Sequence, residues 1–447
     1  MTKAAVYFIG TPTEVGHHAR PLQQRMPVQI VSADDAVQVT RPGDLAIVHS
    51  EHFEANRRAV GVLKKNRVAT LYLVDGILEW RNSWENRAEE PACPFTMRPV
   101  LADKVACIGP SQARVLDSWG NSHKTEVVGI PRFDLLPPPQ KSLDVKREDA
   151  RQRPFRLLVM TAKTPGFTDQ QLESVRLGLQ ALKNWLAARR RSSTDRADRE
   201  IEVVWRLTAG LDSELGVANQ LQDLSGADLS STLQQVDAVI STHSTAMLEA
   251  MRLGLPVAAL DYHNCPNYLP TAWNIRCDED LEGVVIELLN PAPRKLFFQD
   301  TMLADALFED VVDETATDRL EKLVITMLQI AADQRAGTVA LKFPPKLLAD
   351  RATIPCQFPL AQVFPDVPEF LNHNTEELQA ELAHTRREIE HLLRVQAQLQ
   401  SELSQAHQIF ETIHRHPIAG PIVRIRQRML DWMERFGKNR ESSVIRE

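Results

Sequence analysis

The sequence predicts an α/β protein in which two parallel-sheet domains face a cleft and a coiled-coil helix follows them. Three observations carry this expectation. Short apolar runs alternate with helical or polar segments over two consecutive stretches, the pattern of βαβ units. The run Leu136-Pro137-Pro138-Pro139 separates the two stretches. A heptad pattern occupies the chain beyond a proline-dense connector. The expected layout is a first domain at 1–135, a linker at 136–154, a second domain at 155–335, a connector at 336–370, a coiled coil at 371–414 and a basic amphipathic tail at 415–447.

In the first stretch, strands are expected at 6–9, 28–31, 45–49, 69–74, 104–108 and 126–128, with helices at 53–65 and 111–119. The segment 10–16, with Gly10 and Gly16, reads as a loop after the first strand. Three consecutive prolines fit neither helix nor sheet, so 136–154 is a linker. The second stretch opens with a strand at 156–160, then a helix at 168–191 with Leu172, Val175, Leu179, Leu182 and Leu186 on one face. A strand at 201–207 and closing helices within 303–330 complete it. The prolines of 342–370 suggest a strap that crosses back over the first domain or tethers the C-terminal segment. Beyond it, Leu382, Ile389, Gln396, Leu403 and Phe410 alternate with Leu378, Thr385, Leu392, Leu399, Ala406 and Ile413 on a two-position seam. Self-association through 378–413 is expected, a single helix lying on the body of the protein being the alternative. The basic 415–440 segment, with Trp432 and Phe436, suits either an anionic membrane surface or a protein partner.

The most informative stretch is 236–262, VDAVISTHSTAMLEAMRLGLPVAALDY. It reads as a buried strand, a polar turn, a short helix, a Gly-Leu-Pro stop and a second buried strand. A parallel sheet presents ligands at the carboxyl ends of its strands. The turn Ser241-Thr242-His243-Ser244-Thr245 stands at that end, before a helix expected from about residue 244 whose N-terminus suits a phosphate. Glu249 follows one turn later and can accept from hydroxyls in the same crevice. Lys163, in Thr161-Ala162-Lys163-Thr164-Pro165-Gly166, and Arg206, at the end of its strand, are cationic candidates for the same anion.

This unit, on a two-domain α/β chain, resembles the donor-binding half of sugar-nucleotide glycosyltransferases of the GT-B class. The resemblance spans residues 6–330 and is firmest over 156–262. It implies two Rossmann-like domains, a nucleotide-sugar donor held by Lys163, Arg206, the 241–245 turn and Glu249, and a glycan or lipid-linked acceptor. It also implies that basic side chains and helix dipoles replace a metal, so neither metal nor further cofactor is expected. The Gly-Gly pair that such enzymes carry after the first strand is missing here.

An acceptor hydroxyl must also lose a proton. Asp75 ends a buried strand ahead of Gly76 and is the leading base candidate, with Glu79 and Trp80 placed to read a sugar. His17, His18, His49 and His52 are rivals, and His49-x-x-His52 has no third metal ligand by spacing. A sugar-nucleotide epimerase or a glycerophosphate-type transferase would suit the same scaffold, as would a non-catalytic protein working through its coil.

The bulk numbers fit. A net charge of −7 gives no support for nucleic-acid binding. Five scattered cysteines (Cys93, Cys107, Cys265, Cys277, Cys356) without a Cys-x-x-Cys pair point to a reducing, cytoplasmic setting.

Overall fold

The computed structural model describes residues 4–85, 97–142, 153–192, 199–217, 228–309, 314–337, 340–349, 360–367 and 375–415. They fall into two units, residues 1–364 and 365–447.

The first unit holds two all-parallel sheets. One contains β1 (Val6–Ile9), β2 (Val28–Val31), β3 (Leu45–Val48), β4 (Ala69–Leu73), β5 (Lys104–Cys107) and β6 (Thr125–Val127), in the order β2-β1-β3-β4-β5-β6. The other contains β7 (Phe155–Met160), β8 (Ile201–Arg206), β9 (Ala238–Ser241), β10 (Val257–Leu260) and β11 (Trp273–Ile275), in the order β11-β10-β9-β7-β8. Strands β1, β3, β4, β5, β9 and β10 are buried at every residue. That is why they read as continuous apolar runs: helices cover both faces of a parallel sheet.

The helices are α1 (Pro12–Gln23), α2 (Ala33–Val39), α3 (Glu54–Lys65), α4 (Pro110–Leu116), α5 (Asp169–Ser192), α6 (Leu211–Leu215), α7 (Leu229–Leu233), α8 (Ala246–Arg252), α9 (Asp278–Leu289), α10 (Pro293–Ala306), α11 (Ala316–Gln334) and α12 (Leu360–Val363). One outer core packs α5 and α9 on the second sheet. A central core is continuous between the halves, joining Val48 and Tyr72 of the first sheet to Met160 and Val239 of the second and to Met247 and Met251 of α8.

Three expectations are corrected. The segment read as a loop at 10–16 is mostly helix: Thr11 caps α1, its side chain accepting from the Glu14 N–H while the Glu14 carboxylate accepts from the Thr11 N–H, and Pro12 fills the first turn. The helix expected from about residue 244 begins at Ala246. Most consequential is α11, read with the second domain. Its Leu320, Leu323, Val324 and Met327 enter the first domain's outer core beside Phe8, Leu45 and Leu71.

The described residues at the start of the strap, 341–348, pack on the first domain. Leu348 joins that same outer core. Beneath it the fully buried Lys104 Nζ donates to Glu126 Oε1 at 2.8 Å and to the Pro345 carbonyl at 2.9 Å. Glu126 in turn accepts from the N–H groups of Leu347 and Leu348 at 2.8 and 3.1 Å. A buried ion pair whose carboxylate and ammonium each find further hydrogen bonds is the arrangement that offsets its desolvation.

Among the described residues of the second unit a single helix, α13, runs Thr375–Arg415. Its Ile389, Leu392, Leu399 and Leu403 are 41%, 65%, 59% and 72% exposed. The membrane or partner segment at 415–440 lies, beyond Arg415, outside the described residues. No described helix is long and apolar enough to cross a membrane.

Candidate functional site

Each sheet has one point where neighbouring connections leave in opposite directions, between β1 and β3 in the first and between β7 and β9 in the second. Parallel sheets bind ligands in the crevice there, outside the carboxyl ends of the strands. The loops of both crevices, and the turn after β4, come together between the halves. Ile77 N–H donates to Thr245 Oγ1 at 3.2 Å. Gly76 has to be glycine for this approach, since a Cβ on it would lie 1.9 Å from Thr245 Oγ1. Arg132 Nη1, from the end of the first domain, donates to Glu249 Oε1 at 2.8 Å.

One cluster centres on Asp75. Its carboxylate is 49% exposed to the cleft, and His18 Nε2 lies 3.5 Å behind it on α1. Burial, with the neighbouring charges of His17, Arg132 and His49, pushes the His18 imidazole down to about 3. His18 is therefore a neutral imidazole facing a carboxylate rather than half of an ion pair. Burial lowers His17 and His49 as well. Asp75, Arg132 and Lys163 all act on His17, which brings the first domain's base candidate and the second domain's lysine to one place.

A second cluster lies further along the same segment. Glu79 pairs with the buried Arg81, whose Nη1 also donates to the Pro165 carbonyl at 2.6 Å across the domains. Burial raises the Glu79 carboxyl despite Arg81. A narrow crevice lined by Leu78, Glu79, Arg81, His243, Cys265 and Tyr268 opens beside it. His243 is 6% exposed, and its Nε2 has no hydrogen-bond partner among the described residues. Burial lowers this imidazole against the pull of Asp261. Trp80 stacks on Trp84 and Tyr268 at the crevice rim, with centroids 5.3 and 6.2 Å away.

The turn read as a phosphate cradle divides by role. Ser241 is fully buried, and its hydroxyl donates to the Thr242 carbonyl at 2.7 Å. Thr242 Oγ1, also buried, accepts from the Ala162 N–H at 2.7 Å and so fixes the loop that carries Lys163. These two support the crevice and do not line it. Ser244 is half-buried and accepts from the Ala246 N–H at 3.2 Å. Thr245 meets the Gly76 turn, Glu249 meets Arg132, and Lys163 is exposed near Glu14 and His17. Arg206 is exposed at the end of edge strand β8, where its carbonyl accepts from the Thr161 N–H at the start of the Lys163 loop and its charge acts on Asp228. Sequence reasoning missed Arg132. It follows the Val127-Val128-Gly129-Ile130-Pro131 run with no motif around it, and its role depends on the domains meeting.

The sequence matches no protein-family profile and no curated protein. Among solved structures the chain is similar to a UDP co-structure of S. aureus MnaA (11% identity, TM-score 0.49, covering 73% of this chain and 97% of that one). It is also similar to the wall teichoic acid polymerase TagF (13%, 0.44, 74% and 88%) and to Anabaena HepE in complex with UDP (14%, 0.37, 74% and 99%). These are distant likenesses.

Proposed function

We propose that the chain is a glycosyltransferase that passes a sugar from a nucleotide-sugar donor to a glycan or lipid-linked acceptor. One observation supports this above others: the ligand crevices of both sheets open onto one cleft, where an exposed carboxylate, Asp75, shares its surroundings with Lys163 and Arg132. Lys163 and the Ser244-Thr245 turn would neutralise the diphosphate. Glu249, with Arg132, would read the nucleoside hydroxyls. Asp75 would take the acceptor proton as the acceptor oxygen bonds to the anomeric carbon and the sugar–phosphate bond breaks, releasing the nucleoside diphosphate.

The test is thermal stability of the full chain with UDP, GDP and CDP. A ligand that binds only the folded state stabilises it, by about 2.7 kcal/mol at a concentration 100 times its Kd. One nucleotide is expected to raise the midpoint, and Lys163→Ala, at an exposed position, should weaken that response without lowering the unliganded midpoint. No response to any of the three in a folded sample would sink the reading and favour a protein working through its helix.

Epimerisation is a second reading with an observation of its own behind it. Glu79 and His243 form a second titratable set within the cleft, so a proton could be removed on one side of a carbon and returned on the other. Incubating the stabilising nucleotide sugar in deuterated water separates the two. Solvent deuterium in the recovered sugar means epimerisation, and acceptor-dependent nucleotide release without it means transfer.

We further propose that α13 pairs with a second copy of itself through 378–413, because its seam residues Ile389, Leu392, Leu399 and Leu403 are exposed within the chain. Light scattering should give more than one chain per particle, and Leu392→Lys with Leu399→Lys should return it to one. An unchanged mass in the double variant excludes the seam.

A further inference from the structure

A third group of side chains closes the cleft at its rim. Glu85 ends a short π-helical turn (Arg81–Glu85) of the first domain, while His263 and Cys265 belong to the loop after β10 in the second. His263 Nε2 lies 3.2 Å from Glu85 Oε2. One ligand atom from each of Glu85, His263 and Cys265 lies within 4.8 Å of the other two. None of the three serves the functions proposed above.

We propose that Glu85, His263 and Cys265 form a site for a thiophilic divalent cation of the zinc class, which would tie the two domains together across the rim of the cleft. The donor set is one imidazole, one thiolate and one carboxylate, which suits such an ion and not magnesium or calcium. The geometry is close to what it needs. Around tetrahedral zinc, with bonds of about 2.0–2.3 Å, ligand atoms stand about 3.3–3.7 Å apart. The His263–Glu85 separation of 3.2 Å already matches, and the Cys265 sulfur, within 4.8 Å of both, would have to draw closer on binding. Gln171 Nε2 donates to Glu85 Oε2, a support for the carboxylate of the kind that orients metal ligands. Cys265 also lines the crevice that holds His243, whose buried Nε2 has no hydrogen-bond partner among the described residues. On binding, the Cys265 thiol releases its proton to solvent as sulfur bonds to the metal, and no electron is transferred.

The inference stands independently of the nucleotide reading and is tested without it. Chelator-treated, reduced full-length protein is titrated with Co²⁺ and followed by visible absorption. One Co²⁺ per chain is expected, with a thiolate-to-metal charge-transfer band and tetrahedral ligand-field bands. Zn²⁺ should displace it and raise the thermal midpoint. Cys265→Ser should abolish the charge-transfer band and weaken uptake by more than the roughly 10–100-fold typical of losing a supporting group. Cys107→Ala, deep in the core, should leave the band intact. His263→Gln, which keeps a polar partner for Glu85, should weaken uptake as well and decides the matter if Cys265→Ser does not fold. Absence of stoichiometric uptake, or a band that survives in Cys265→Ser, overturns the site.

Discussion

Asp75→Asn is expected to lower turnover by about 10²–10⁴-fold, the range that a positioned general base contributes. The substitution is isosteric at a position 49% exposed, so the fold should tolerate it. Binding should survive as well: the nucleotide-induced rise in thermal midpoint should match the wild type, placing the loss in kcat and not in KM. The choice of Asp75 over His18 rests on access. His18 is 8% exposed and lies behind the carboxylate, and burial holds it neutral. Glu79 is the weaker candidate because its carboxylate is committed to Arg81, which is tied in turn to the Pro165 carbonyl. Turnover retained in Asp75→Asn and lost in Glu79→Gln would move the chemistry to the second cluster and with it favour epimerisation.

The strands were legible because a parallel sheet buries both faces of each strand, which leaves apolar runs such as Leu45-Ala46-Ile47-Val48 that need no context. Helix α1 was legible in principle. Thr11 and Glu14 form a capping box with Pro12 in the first turn, and the two glycines at 10 and 16 outweighed that signal. The return of α11 to the first domain was not legible, because an amphipathic face does not name the sheet it will cover. The 241–245 turn shows a related limit. Its position was readable, but Ser, Thr and His serve equally as ligands and as internal braces, and only burial separates Thr242, which holds the Ala162 loop, from Ser244. Glu85 and His263 are 178 residues apart, so no spacing rule joins them.

The stability of the chain is expected to fall as pH drops from about 6.5 toward 5. An unfolded imidazole titrates near 6.5. In the folded protein His18 is held at about 3, and burial lowers His17, His49 and His243 in the same direction. Below about 6.5 the unfolded chain therefore takes up protons that the folded chain refuses, and stability rises with pH through that window. For His18 alone the slope reaches at most about 1.4 kcal/mol per pH unit. Its contribution is whole above about 6.5 and erodes continuously as pH falls toward 3. Glu51, Glu79 and Glu309 oppose this, since burial raises each of them and the folded state then gains protons first. Their effect runs upward from the ordinary carboxyl range, so the His18 contribution is read as the difference between the wild type and a variant that lacks the imidazole. Urea midpoints measured across that interval should decline, and His18→Gln, which removes the titrating group while keeping a polar side chain beside Asp75, should flatten the decline even if it lowers every midpoint. An identical slope in the variant would mean that the cleft opens enough for His18 to meet solvent. The closed arrangement around Asp75 would then be one of several that the two domains adopt.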